Sequence, residues 1–563
     1  MQNDPFSPLE LYSLKADPQE KTNLAATNKK VVNELSAALR QHIQRAAGHR
    51  GSRHFQNRTT PRNSESSAMK HLLILTLLVL VGSLAPAANR PNIVVCIADD
   101  VSWDDYGCYG SRTARTPRID ALAAGGLRFT QAYLTASSCS PSRSSIITGR
   151  YPHNLGRAAE LHQPIAAHLP WFPAPLRRAG YYTALVGKNH MTTDSPEAVP
   201  PGLSSPWDFV DPGITPDNHG AESKWVQTIE SRPKDKPFFF WFASLDAHRD
   251  WDADKEWIES KYGPQHRPQD LTLPPFLADE PATRRDLASY HNEVTRFDYF
   301  VGQVADALAA QGQIENTLLF VLADNGRPFP RAKTRLHDSG MKTALIAHWP
   351  AGIRGRGVTS ASLVSVIDFA PTFLELADVA APPSFQGVSL NPLFRDPQAV
   401  IRRHAFSEHN WHDYEAHGRS VRSEGYLYIR NARPALPWQG PADSVRSPSH
   451  QALRALREAQ KLTPAQADVF LVPRPPEELY FTAHDSNQIN NLIADSAHAN
   501  ARERLAALLD QWIADTGDAA PEKLTPDSFD RHTGKSLGNK SVARGEHPGS
   551  PKSADKINAP GPR

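Results

Sequence analysis

The sequence predicts an α/β domain built on a large, mostly parallel sheet between helices, followed by a smaller α+β unit. Three observations carry that expectation. Short apolar runs, the length of strands, alternate along the chain with helical patterns. Two of those runs end alike, in Asp99-Asp100 and in Asp324-Asn325. The chain has 563 residues, 40% hydrophobic and 22% charged, an ordinary globular balance with room for two domains.

In chain order, the first feature is an apolar run, LLILTLLVLVGSLA at 72–85, preceded by Met69-Lys70-His71 and followed by Pro86-Ala87. That is the layout of a secretory signal peptide, and the run is shorter than a membrane span normally needs. The reading places a signal peptide at 69–87, cleaved near Ala87, with a secreted or periplasmic product; the alternative is a membrane anchor with a short cytoplasmic head. Residues 1–68 then read as extraneous. They echo the far end of the chain: Glu10-Leu11-Tyr12, Asp17 and Asn23-Leu24 recur at one offset as Glu478-Leu479-Tyr480, Asp485 and Asn491-Leu492.

From Asn92 the runs NIVVCIA, YYTALVG, PFFFWFASL and NTLLFVLA read as strands, with helices over PRIDALAAGG and from about Ala282 to Gln311. The stretch VSVIDFAPTFLELADV closes this domain, taken as 88–384, and Pro382-Pro383 punctuates its end. The α+β unit is expected over 385–518. Residues 519–563, rich in Pro, Lys, Gly and Ser, read as a mostly disordered or surface-hugging tail.

Charge narrows the function. With 62 basic and 60 acidic residues the net charge is +2, so no global field attracts nucleic acid, and any anion must be gripped locally. Three cysteines, Cys96, Cys108 and Cys139, allow one disulfide at most and leave a sulfur over. Cys96, in a strand, and Cys108, in the following loop, read as structural.

In an open α/β sheet ligands gather beyond the carboxyl ends of the strands, so two neighbouring strands ending in Asp99-Asp100 and Asp324-Asn325 aim four oxygen-bearing side chains at one point. Three carboxylates and an amide suit Ca²⁺ or Mg²⁺ rather than zinc. Taken singly, either pair reads equally well as a turn or helix cap.

Between the pairs lies Cys139-Ser140-Pro141-Ser142-Arg143, running on to Thr148-Gly149-Arg150. This resembles the signature of the type I, formylglycine-dependent sulfatases, and the resemblance covers the chain from Asn92 to about Asp518. Lys188 and His190 match the family's K-x-H pair, His248 its histidine after a strand, and Lys333 its second cation. The resemblance implies an alkaline-phosphatase-like fold and one Ca²⁺ on Asp99, Asp100, Asp324 and Asn325. It also implies a formylglycine made from Cys139 by a separate maturation enzyme.

The roles it implies follow the chemistry of a crowded anion. Cys139, once matured, attacks; Arg143 holds nucleophile and metal ligands in register; Lys188 and Lys333 neutralise sulfate oxygens. His190 deprotonates the remaining hydroxyl as sulfate departs, and His248 protonates the leaving atom. Lys188 and His248 are interchangeable between clamp and acid at this level.

Within the family, Arg327-Pro328-Phe329-Pro330, the Asp246 to Arg249 segment and the ending Trp512, Thr516, Asp518 look most like the heparan N-sulfatase subgroup, although Lys333 stands where that subgroup has arginine. Asp246, Arg249, His409 and His412 are candidate sugar contacts. The implied activity is hydrolysis of sulfate esters or sulfamates on a sulfated saccharide. The alternatives are a phosphonate or phosphodiester hydrolase of the same superfamily, or a glycan-binding protein whose Cys139 stays unmodified.

Overall fold

A computed structural model of the chain describes residues 90–192, 206–215, 218–219, 221–538 and 544–563. The expectations for 1–68 and for the signal peptide at 69–87 lie outside the described residues. Among the described residues no helix is long and apolar enough to cross a membrane.

An eight-stranded sheet forms the core. In spatial order its strands are Val358–Ser360, Leu127–Phe129, Leu345–His348, Thr317–Ala323, Asn92–Ala98, Phe238–Ala243, Tyr182–Gly187 and Phe209–Asp211. Every neighbouring pair is parallel except the two pairs made by Leu345–His348, which runs against both neighbours. Strands buried on both faces read as continuous apolar runs, and the pleat divides them. Ile93, Val95, Ile97, Phe239 and Trp241 enter the core on one face. Val94, Cys96, Ala98, Phe240 and Phe242 enter the other, against the helix Pro281–Ala310.

The second unit is an antiparallel four-stranded sheet, Ala405–His409, Gly418–Ser423, Tyr426–Asn431 and Glu477–Phe481, paired in chain order. The helix Ala499–Thr516 packs Leu505, Leu509 and Trp512 on it, with Trp512 stacked on Phe406, the rings 5.1 Å apart and 2° from parallel.

The tail differs from the expectation of a mostly disordered segment. Residues 544–563 return to the catalytic domain, where the fully buried Arg150 donates to Asn558 Oδ1 and Ile557 O, both at 2.8 Å, and to Asp555 O at 3.2 Å. Asn154 Nδ2 donates to Ala554 O at 2.7 Å. A composition poor in apolar residues is ordered here by buried polar anchors supplied from elsewhere in the chain.

Candidate active site

The Asn92–Ala98 and Thr317–Ala323 strands lie side by side, with Ala98 opposite Ala323, so Asp99 and Asp324 leave the sheet together. Asp100 N donates to Asp324 Oδ1 at 3.2 Å, and Asp100 itself adopts a left-handed φ of 63°. Asp99, Asp100 and Asp324 have no exposed surface, and Asn325 almost none. The glycine that follows is required by space: a Cβ on Gly326 would sit 2.0 Å from Ser339 O.

Cys139 is the first residue of the helix Cys139–Thr148, with Ser138 in extended conformation before it. The helix ends at Gly149, whose φ of 63° is the left-handed conformation of a glycine cap. Cys139 Sγ therefore lies at a helix N-terminus, where the backbone dipole favours negative charge. It sits 3.8 Å from Asp99 Oδ1 and 3.9 Å from Asp100 Oδ1. Burial first, and the nearby acids against the pull of Lys188 and Lys333, push its thiol up to about 12. An unaltered thiol is thus a poor nucleophile at neutral pH.

Cations surround the acids. Lys188 bonds Asp99 Oδ2, and Lys333 Nζ reaches Asp100 Oδ2 at 2.6 Å. Arg143, fully buried, gives Nε to Asp324 Oδ2 at 2.8 Å and Nη1 to Lys188 O at 3.0 Å. Burial opposes the charge on Asp99, but Lys188, His248, Arg143 and Lys333 together hold its pKa well below the usual range. Burial dominates at the other two, raising Asp100 to about 7 and Asp324 to about 6. Both lysines stay charged, because their acidic partners outweigh burial.

The donor set suits a hard cation. Asn325 Nδ2 donates to Asp100 Oδ1, which leaves Asn325 Oδ1 buried and without a hydrogen-bond partner. A buried acceptor of that kind beside three carboxylates is what a Ca²⁺ site supplies. Asp99, Asp100 and Cys139 also bring ligand atoms within 4.8 Å of one another.

The histidines stand at two sides. His248 Nε2 lies 4.0 Å from Asp100 Oδ2; burial and then Lys333 and Lys188 lower its pKa. His190 Nε2 shares a hydrogen bond with His162 Nδ1 at 2.6 Å, and burial, with Lys188 beside it, depresses its pKa to about 2.

All ten residues assigned to metal and chemistry from sequence thus converge. The four candidate sugar contacts divide. Asp246 is taken by Arg296, which donates Nε to Asp246 Oδ2 at 2.8 Å. Arg249 makes a bidentate pair with Asp286 at 2.7 and 2.8 Å and lies over the rings of Trp251 and Phe329. Its Nε also donates to Pro328 O at 3.0 Å. Both charged ends are spent inside the protein, so these two residues brace the loops that carry His248 and Lys333 and are corrected from contacts to supports. His409 is buried and stacks on Trp438 at 4.9 Å. His412 alone reaches the nucleophile's helix, its Nδ1 bonded to Ser138 Oγ at 2.7 Å.

Two residues escaped the sequence reading. His162 belongs to no motif and is identified only by its bond to His190. Asp443, from the second unit, brings a carboxylate oxygen within 4.8 Å of ligand atoms of both Asp100 and His248. The three cysteines are free; Cys96 is buried in its strand, and Cys108 lies outside the cluster of site residues.

Comparison with known proteins agrees with this geometry. The sulfatase family model matches residues 91–379, and a model described as N-sulphoglucosamine sulphohydrolase, C-terminal, matches 332–434. The N-sulphoglucosamine sulphohydrolase of Homo sapiens is 30% identical over 502 residues, spanning 80% of this chain and 96% of the human protein. An ulvan-active sulfatase of Formosa agariphila is 28% identical over 484 residues, spanning 77% of this chain and 76% of that one. A solved structure in complex with its substrate D-glucosamine-2-N,6-O-disulfate shares the fold, with a TM-score of 0.56 at 19% identity over 76% of this chain and 98% of its own. The phosphonate monoester hydrolase of Agrobacterium radiobacter does so too, with a TM-score of 0.54 at 18% identity over 74% of this chain and 94% of its own. The chain belongs to the sulfatase family, the sulfuric ester hydrolases.

Proposed function

We propose that this protein removes sulfate from a sulfated saccharide, with N-sulfated glucosamine as the first substrate to test, and that its nucleophile is a formylglycine made from Cys139 by a maturation enzyme. The observation that carries the reading is the position of Cys139: a buried helix N-terminus, within 4 Å of Asp99 and Asp100, between Lys188 and Lys333. The likeness to the human sulphohydrolase supports the choice of sugar.

A hydrated aldehyde at this position supplies one hydroxyl to attack sulfur and a second to release it, which divides one hard step into two. Asp99, Asp100, Asp324 and Asn325 would hold Ca²⁺, which supplies charge to polarise the sulfate oxygens. Lys188 and Lys333, both firmly charged, neutralise the anion from two sides, and the helix N-terminus adds its dipole. Arg143 bonds Asp324 and the Lys188 carbonyl, and so ties one acid to one cation. His190 is neutral in the ion-free cluster, so its ring nitrogen would be available for the proton of the remaining hydroxyl once the anion of the substrate offsets Lys188 beside it. His248 would protonate the leaving atom: the lysines hold their protons, whereas burial and the two lysines lower the pKa of His248, so it gives up a proton readily. The apolar run at 72–85 supports a secreted or periplasmic address.

Release of inorganic sulfate from N-sulfated glucosamine, from O-sulfated saccharides and from an aryl sulfate, beside hydrolysis of a phosphodiester, tests the reading. Preference for a sulfated saccharide is expected. Preference for the phosphodiester would replace it with the phosphonate-hydrolase alternative.

A further inference from the structure

Besides His412, the second unit brings the carboxylate of Asp443 to the edge of the active site. The short helix Ala442–Arg446 is fixed in place: Ala442, Ser444 and Val445 are buried, and Ala442 N donates to Asp413 Oδ2 at 2.9 Å. Asp443 projects from it, half-buried, with an oxygen within 4.8 Å of ligand atoms of Asp100 and His248. Among the described residues the donor directed at its carboxylate is the adjacent Ser444 N, to Oδ1 at 2.6 Å. Its Oδ2 accepts no hydrogen bond among the described residues.

Its surroundings decide what it accepts. Lys333 already brings a positive charge to this corner, with Nζ 2.6 Å from Asp100 Oδ2. A neutral donor therefore complements Asp443 better than a further cation. On the mechanism above His248 serves the leaving atom, and an acceptor within 4.8 Å of its ring nitrogen is within reach of a substituent beside the scissile one on the same sugar ring.

We infer that Asp443 is a specificity-determining residue that accepts a hydrogen bond from the hydroxyl neighbouring the sulfated position of the saccharide, contributed to the catalytic domain's site by the C-terminal unit. This rests on the saccharide reading above. It explains why the site needs the second unit at all: the catalytic groups come from 99–333, and the group that reads the sugar comes from 443.

The test pairs the sulfated saccharide turned over best in the panel above with its analogue deoxygenated at the neighbouring position, for the wild type, D443A and D443N. The wild type should lose about tenfold or more in kcat/KM on the deoxy analogue, as expected for one lost hydrogen bond to a charged acceptor. D443A should show a similar loss on the parent saccharide, seated mainly in KM, and should no longer distinguish the two substrates. D443N, which keeps the side chain's shape, should fall between them. Additive losses, in which D443A still discriminates as the wild type does, overturn the inference while leaving the saccharide reading intact. A wild type that cleaves the aryl sulfate but no sulfated saccharide overturns both.

Discussion

Arg143 shows most directly how one side chain organises the site. It has no exposed surface, bonds Asp324 at 2.8 Å and stands 3.8 Å from Asp99. Removing one partner of such a buried set leaves uncompensated charge, so Arg143→Ala should cost about 3–5 kcal/mol. Chemical denaturation of the metal-free protein would show it, and an unchanged midpoint would mean that Arg143 is dispensable to the fold. Substituting Cys139 by Ser or Ala should lower turnover of the parent saccharide by about a thousandfold or more, since nothing else in the cluster offers a nucleophile. Cys108→Ser, by contrast, should leave the chemistry intact, because Cys108 touches none of the site residues and instead bonds Asp120 through its backbone N–H at 2.7 Å. The convergence of the candidate-site residues was legible because each follows a strand or sits in a short motif, so local order along the chain predicts convergence in space. Asp246 and Arg249 misled for the complementary reason. A charged residue beside a catalytic histidine looks the same in sequence whether it faces substrate or pairs inward, and only Arg296 and Asp286, far along the chain, decide it.

Among elements, the long strands and the Pro281–Ala310 helix were evident from their apolar runs and helical period. The strands Leu127–Phe129, Phe209–Asp211 and Val358–Ser360 were not, since three residues are too few to show a period. Leu345–His348 is only one residue longer, and its antiparallel course is set by its neighbours rather than by its own residues. The course of the tail was not legible because it depends on Arg150, 408 residues from its partner Asn558. Truncation after residue 538 strips Arg150 of acceptors at Asp555, Ile557 and Asn558. Loss of three such charged hydrogen bonds corresponds to about 4.5 kcal/mol or more, read as a lower urea midpoint and unfolding temperature. An unchanged midpoint would show that the tail merely rests on the surface.

For the whole molecule, the acid cluster links stability to pH and to calcium. Asp100 and Asp324 have raised pKa values, about 7 and about 6, with burial as the leading cause. Between the ordinary carboxylate range and about pH 7 the folded, metal-free chain therefore holds protons that the unfolded chain has released, and its stability falls as pH rises. Calcium held by the deprotonated set would add stability by mass action, so the rise in unfolding temperature between chelator and calcium should grow from about pH 5 to about pH 7.5. A shift of constant size across that window would remove these carboxylates from the calcium site. The central claim, that Cys139 becomes the nucleophile, is tested most directly by mass spectrometry of the tryptic peptide Phe129 to Arg143 from protein made by its native host. The account predicts a mass about 18 units below that of the cysteine peptide, the change from thiol to aldehyde. An unmodified thiol in protein that nevertheless releases sulfate would contradict it.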